Sequence, residues 1–143
     1  MKIKIKRHDK TLPLPEYKTP GAAAFDLSAR ETMTIKPGKI AYIPLNVSVA
    51  TPKDHVLLLA ARSSTHKRGL SLISGIGLID PDFRGNSDEP LACLLNFTNK
   101  SVTVERGDRI AQGTFIKFTR AEWKEVDQME EPDRGGFGTT GKK

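Results

Sequence analysis

Gly75-Ile76-Gly77-Leu78-Ile79-Asp80-Pro81-Asp82-Phe83-Arg84-Gly85 sets two glycines one residue apart in an apolar run. It closes that run with a carboxylate, a proline, one aromatic and one arginine. Ile76 to Ile79 has the length of a short strand, and Asp80-Pro81 is a turn signal. Gly75 and Gly77 have no Cβ, so a flat ligand can lie against this backbone and hydrogen-bond to it. Asp80 follows Leu78 and Ile79 directly. It is expected at the rim of a strand pair, half desolvated, where a carboxylate suits the work of a general base. The plain alternative is a β-hairpin whose aspartate caps a turn.

The same grammar of short apolar runs and turn residues extends in both directions. Upstream, Lys2 to Lys6 alternates, Thr32 to Ile35 alternates and ends at Pro37-Gly38, and Ile40 to Ile43, Val47 to Ala50, His55 to Ala61 and Leu70 to Ile73 read as strands. Downstream, Leu91 to Phe97 is the most continuous candidate for a buried strand, followed by Val102 to Val104 and Ile110 to Phe118. Helical period is weak everywhere. A short helix is expected after Ser63 or Ser64, either of which can cap it, and a faint helical pattern covers Ala121 to Val126. Strands at this spacing predict an all-β fold, a jelly-roll-like sandwich or barrel, over residues 1–128. From Met129 the chain turns charged and then glycine-rich, Gly135-Gly136-Phe137-Gly138-Thr139-Thr140-Gly141. Residues 129–143 bury too little apolar surface to order themselves, and are expected to form a flexible C-terminal lid.

The chain has 143 residues and a formal net charge of +6. Much of the excess lies at the ends, in Lys2, Lys4, Lys6, Arg7 and Lys10 and in Lys142 and Lys143. Interior arginines stand singly in loops, which suits a small polyanion as well as a polymer backbone. Aromatic residues make up 6% of the chain, thin for a base-stacking platform, so nucleic acid is not required as a partner. No apolar run is long enough to span a bilayer, Met1 to Lys10 has no apolar leader core, and no membrane role is expected. Cys93 is the one cysteine, so no internal disulfide can form and a reducing cytoplasm is the expected compartment. Its surroundings, Leu91-Ala92-Cys93-Leu94-Leu95, predict a small buried residue and not a nucleophile.

Five polar clusters punctuate the strands: Gly21 to Leu27, Ala61-Arg62-Ser63-Ser64, Gly75 to Gly85, Gly107-Asp108-Arg109-Ile110-Ala111-Gln112, and the glycine-rich tail. In this order they resemble the five motifs of the trimeric dUTPase family, the deoxyuridine triphosphate pyrophosphatases, over nearly the whole chain. The resemblance implies a jelly-roll-like β fold, hydrolysis of dUTP to dUMP and pyrophosphate with Mg2+, and a homotrimer with sites between subunits.

The resemblance also implies roles. Asp80 is the base that activates water for in-line attack on the α-phosphorus. The backbone of Ser74, Gly75, Ile76, Gly77, Leu78 and Ile79 holds the uracil edge as a hairpin that imitates a pairing partner. Phe83, where tyrosine is usual, lies against the deoxyribose and excludes a ribose hydroxyl. Arg62 contacts the phosphate chain, Ser63 sits by the oxygen bridging α and β, and Ser64 offers a further donor. Asp26 and Gln112 hold magnesium through its waters, and Gln112 also serves the phosphate chain. In the tail, Phe137 stacks on uracil, while Gly138, Thr139, Thr140 and Arg134 serve the γ-phosphate.

Some features depart from the family pattern. Ala24 stands where glycine is common. Asn86-Ser87-Asp88-Glu89-Pro90 lengthens the connection after Gly85 and is expected to form an extra loop at the site mouth. Pro132 occupies the usual place of the tail arginine, leaving Arg134 as the nearest. The nearest rival, dCTP deaminase, resembles the chain in Arg-Ser-Ser and Asp-Pro. It needs a glutamate on the following strand, but Cys93 holds that position and Leu91 to Phe97 has no carboxylate. A zinc deaminase needs more ligands than one cysteine without His-x-Glu supplies. A non-catalytic jelly-roll module explains the strands but not Asp80, Arg62 and the tail together.

Overall fold

The structure, a computed structural model, describes residues 1–138 and Gly141. Eleven strands appear among them: β1 (Ile5–Arg7), β2 (Phe25–Ser28), β3 (Met33–Ile35), β4 (Ile40–Pro44), β5 (Val47–Val49), β6 (His55–Ala61), β7 (Leu70–Leu72), β8 (Ile76–Ile79), β9 (Leu91–Asn96), β10 (Val102–Val104) and β11 (Arg109–Lys117). The one helix among the described residues is a 3₁₀ turn, Thr65–Arg68, with Ser64 at its N-cap. Ser64 makes no capping bond. Instead the Arg62 amide donates to Thr65 Oγ1 at 3.0 Å.

A four-stranded sheet runs β2-β11-β6-β8 and a three-stranded sheet runs β4-β9-β7. Two short ribbons, β1-β5 and β10-β3, complete the fold, and every pairing is antiparallel. Leu27, Leu57 and Leu59 from the larger sheet meet Ile43, Ala92, Leu94 and Leu70 in one apolar core. Asn96 is buried inside it and is fully used. Its side-chain nitrogen donates to Ile35 O and Lys100 O, and its oxygen accepts from Thr98. A buried amide with all its bonds made fixes the loops around it instead of weakening the core.

Several expectations change. β7 and β8 do not pair with each other: β7 lies on β9 and β8 on β6. The turn through Ser74 and Gly75 therefore carries the chain from one sheet to the other and is no hairpin. Ala121 to Val126 is not helical, and no strand or helix follows Lys117 among the described residues. Pro44, expected between strands, ends β4 opposite Leu91. Cys93 is not in the core. Alternation along β9 turns Ala92 and Leu94 inward, which puts Cys93 on the outer face opposite Tyr42. That outer face is apolar: Ile40, Tyr42 (60% exposed), Leu91 and Ile73 stand on it in the isolated chain.

The Asn86 to Pro90 insertion is not a free loop. Arg30 grips Glu89 through two hydrogen bonds, 2.9 and 3.0 Å, and the Asn46 amide donates to Glu89 Oε1 at 2.7 Å. Lys6 Nζ donates to Asn86 O at 2.7 Å. The Glu89 side chain is only 10% exposed, so this pair is an anchor partly shielded from water.

A candidate active site in two halves

Asp26 on β2 and Gln112 on β11 stand side by side in register, and Ala60 of β6 lies opposite Gln112. The order β2-β11-β6 thus brings residues 86 positions apart into one row. Arg62 continues from β6 and donates from Nε to Asp26 Oδ1 at 2.7 Å. Arg109 donates from Nη1 to Asp26 Oδ2 at 2.8 Å, and its carbonyl accepts from Arg62 Nη1 at 3.2 Å. Gln112 Nε2 is spent on Ala61 O at 2.9 Å, which leaves its Oε1 as an acceptor. Ser63 and Ser64 follow in the adjacent turn, and neither hydroxyl has a hydrogen-bond partner among the described residues. This half holds a carboxylate clamped by two guanidiniums, each with donors still free for an anion.

Asp80 lies elsewhere. Ile79 pairs with Leu57, so Asp80 is level with Val56, while Arg62 is six residues further along β6. At the rise of an extended strand that separation is about 20 Å. A single chain therefore does not bring Asp80 to Arg62, Gln112 or Asp26. Its carboxylate is also exposed, not half desolvated as expected, because in the isolated chain nothing packs over it. Asp80, Pro81, Asp82 and Arg84, from the segment after β8, line a cleft of about 580 Å3 together with Lys53, Phe118 and Arg120.

β8 is an edge strand, so one side of its backbone offers unpaired N–H and C=O groups. Ile76 and Leu78 point outward along it. The two glycines are there for different reasons. Gly75 has φ +71°, which its turn requires, and its amide donates to Leu72 O at 2.9 Å. Gly77 faces Leu59, and a Cβ there would sit 3.2 Å from Leu59 Cβ. Its bareness lets β8 approach β6 closely, which adds to the expected role of admitting a flat ligand. Phe83 is partly exposed beyond the turn, whose Phe83 amide donates to Asp80 O at 3.1 Å.

In the tail, Phe137 is fully exposed with φ +51°, Gly138 has φ +92°, and Arg134 makes no side-chain hydrogen bond or ion pair among the described residues. Thr139 and Thr140 lie outside the described residues. Ala24 has no positive φ, so alanine costs nothing there. Arg109 was not singled out in the sequence for a role. It stands inside the fourth polar cluster, but its link to Asp26 depends on sheet register.

An antiparallel β fold with an arginine–carboxylate–glutamine row at one end of its larger sheet, a bare-backboned edge strand alongside it and the Asp80 turn at the far end of that strand defines a jelly-roll nucleotide-handling protein. A family model described as dUTPase matches residues 10–141, and the chain belongs to that family. It is 40% identical to the deoxyuridine 5'-triphosphate nucleotidohydrolase of Dictyoglomus turgidum, over 99% of each chain. The crystal structure of the Streptococcus mutans dUTPase is similar at 31% identity and a TM-score of 0.75, covering 83% of this chain and 98% of that one. The dUTPase of Staphylococcus bacteriophage 80alpha, solved with dUpNHpp, shares the fold at 23% identity and a TM-score of 0.85, covering 98% of each chain.

Proposed function

We propose that the protein hydrolyses dUTP to dUMP and pyrophosphate, and that it does so as a homotrimer with sites between subunits. The observation that carries the reading is Asp80: a carboxylate without a partner, at the end of an exposed edge strand, in a cleft of nucleotide size. The open edge of the backbone from Ser74 to Ile79 holds the uracil edge, and a methyl or exocyclic amino group on the base meets a clash or an unpaired polar atom. Phe83 lies against the sugar. Asp80 orients a water and takes its proton as the oxygen attacks the α-phosphorus in line. The bond from α-phosphorus to the bridging oxygen breaks, and pyrophosphate leaves. Ser63 and Ser64 donate to the oxygens that gain charge, and Arg62 turns its free Nη2 to the phosphate chain.

Two features support assembly. Asp80 and Arg62 are about 20 Å apart along β6, so both reach one substrate only when neighbouring chains supply them. The apolar outer face of β4-β9-β7 is the surface that copies of the chain cover. The tail, with Arg134, Phe137, Gly138, Thr139 and Thr140, closes over base and γ-phosphate.

Among the described residues no cluster of three metal-ligating side chains exists. Asp26, with both oxygens already accepting from arginines, and Gln112, with Oε1 left over, fit a hydrated cation and not a direct cage. Magnesium, when bound, neutralises phosphate charge, and Asp26 and Gln112 hold its waters.

The deciding assay is product analysis with dUTP and dCTP. Pyrophosphate is expected from dUTP alone, and Asp80→Asn is expected to bind dUTP while losing about 10²–10⁴-fold in turnover. Ammonia released from dCTP replaces this reading with deamination, and no turnover of either replaces it with a binding module.

A further inference from the structure

The Asp80 cleft carries three cations that no carboxylate pairs with among the described residues. Lys53 precedes β6, Arg120 follows β11, and the Phe118 amide donates to Asp54 O at 3.1 Å, which holds those two strand ends together. Arg84 lines the same cleft. None of the three side chains makes a hydrogen bond or ion pair among the described residues. Among the arginines of the β domain, Arg30, Arg62, Arg68, Arg106 and Arg109 grip carboxylates and Arg7 donates to backbone carbonyls, while Arg134 in the tail, like these three side chains, makes no such bond among the described residues. The carboxylate next to Lys53 in sequence, Asp54, is taken by His55 at 2.8 Å and Lys117 at 3.8 Å. Asp80 and Asp82 share the cleft and repel any polyphosphate that approaches them.

We infer that Lys53 and Arg120 bind the phosphate chain of the substrate beside Asp80, from the same chain that supplies Asp80. Neither belongs to the five motifs, and the inference rests on the reading of Asp80 as the hydrolytic carboxylate. Cations lining the same cleft as the two aspartates offset their repulsion and hold the α-phosphate where the water arrives. The partner arginine acts from the other subunit.

The test uses the full-length protein with Lys53→Gln and Arg120→Gln, singly and together, and Arg120→Lys as the charge-preserving variant. Solution mass and thermal unfolding confirm folding. In the double variant KM for dUTP is expected to rise about tenfold or more, the scale of a lost charge-assisted bond. Inhibition by dUMP weakens in parallel, inhibition by uncharged deoxyuridine stays the same, and kcat/KM falls less steeply with added salt. Arg120→Lys keeps most of the wild-type KM. Unchanged dUTP and dUMP binding, with hydrolysis intact, overturns the inference and leaves the function standing. Equal weakening for deoxyuridine also overturns it, since that reports a change of cleft shape. Absence of dUTP hydrolysis in the unmodified protein removes the underlying reading, and the inference with it, before any variant is made.

Discussion

Asp9 shows how one residue ties pH to stability. Its carboxylate accepts from the hydroxyl and amide of Thr11 and from Arg106, at 2.6, 2.9 and 2.6 Å. These bonds, the Thr11 hydroxyl first, lower its pKa to about 2 from 3.8. The folded value lies below the unfolded one, so the contribution is present above pH 3.8 and is lost as pH falls toward 2. Asp9→Asn is therefore expected to unfold at a lower temperature than wild type at pH 6, with the gap closing between pH 4 and pH 2; a constant gap across that range goes against the assignment. At this scale the sequence was uneven. The place of Asp80 at the end of β8 could be read from a short apolar run and a turn, but not its exposure. Asp26 as the partner of Arg62 and Arg109 could not, because the ion pairs join residues 36 and 83 positions apart and exist only once β2, β11 and β6 are in register.

At the scale of the element, period-2 alternation located nearly every strand but said nothing of partners. β7 and β8 are adjacent in sequence and lie in different sheets, because a local pattern encodes which face is buried and not which neighbour is bonded. Leu91 to Phe97 reads as a continuous buried strand because its outward residues are apolar too, although they lie on the exposed face of β9. β8 also yields a prediction. Gly77→Ala puts a methyl 3.2 Å from Leu59 Cβ, which pushes the edge strand off β6. The expected cost is about 1–3 kcal/mol in urea unfolding, with a raised KM for dUTP; stability equal to wild type means the strand shifts freely.

For the whole molecule, the tail and the outer sheet face give a joint expectation. Sedimentation should report a mass three times the 15.8 kDa chain. A non-hydrolysable dUTP analogue should slow proteolysis after Arg134, with cleavage at equal rates in both states counting against a closing lid. The general plan was legible in the order of the five clusters. The distance between them was not, since motif order carries no geometry. That distance along β6 has a genetic consequence. On the proposed reading, a chain carrying Asp80→Asn and a chain carrying Arg62→Ala should each be nearly inert alone, yet each would keep the half that the other lacks. Unfolded together and reassembled in equal amounts, they should recover about a quarter of wild-type turnover, because random neighbours rebuild one intact site in four.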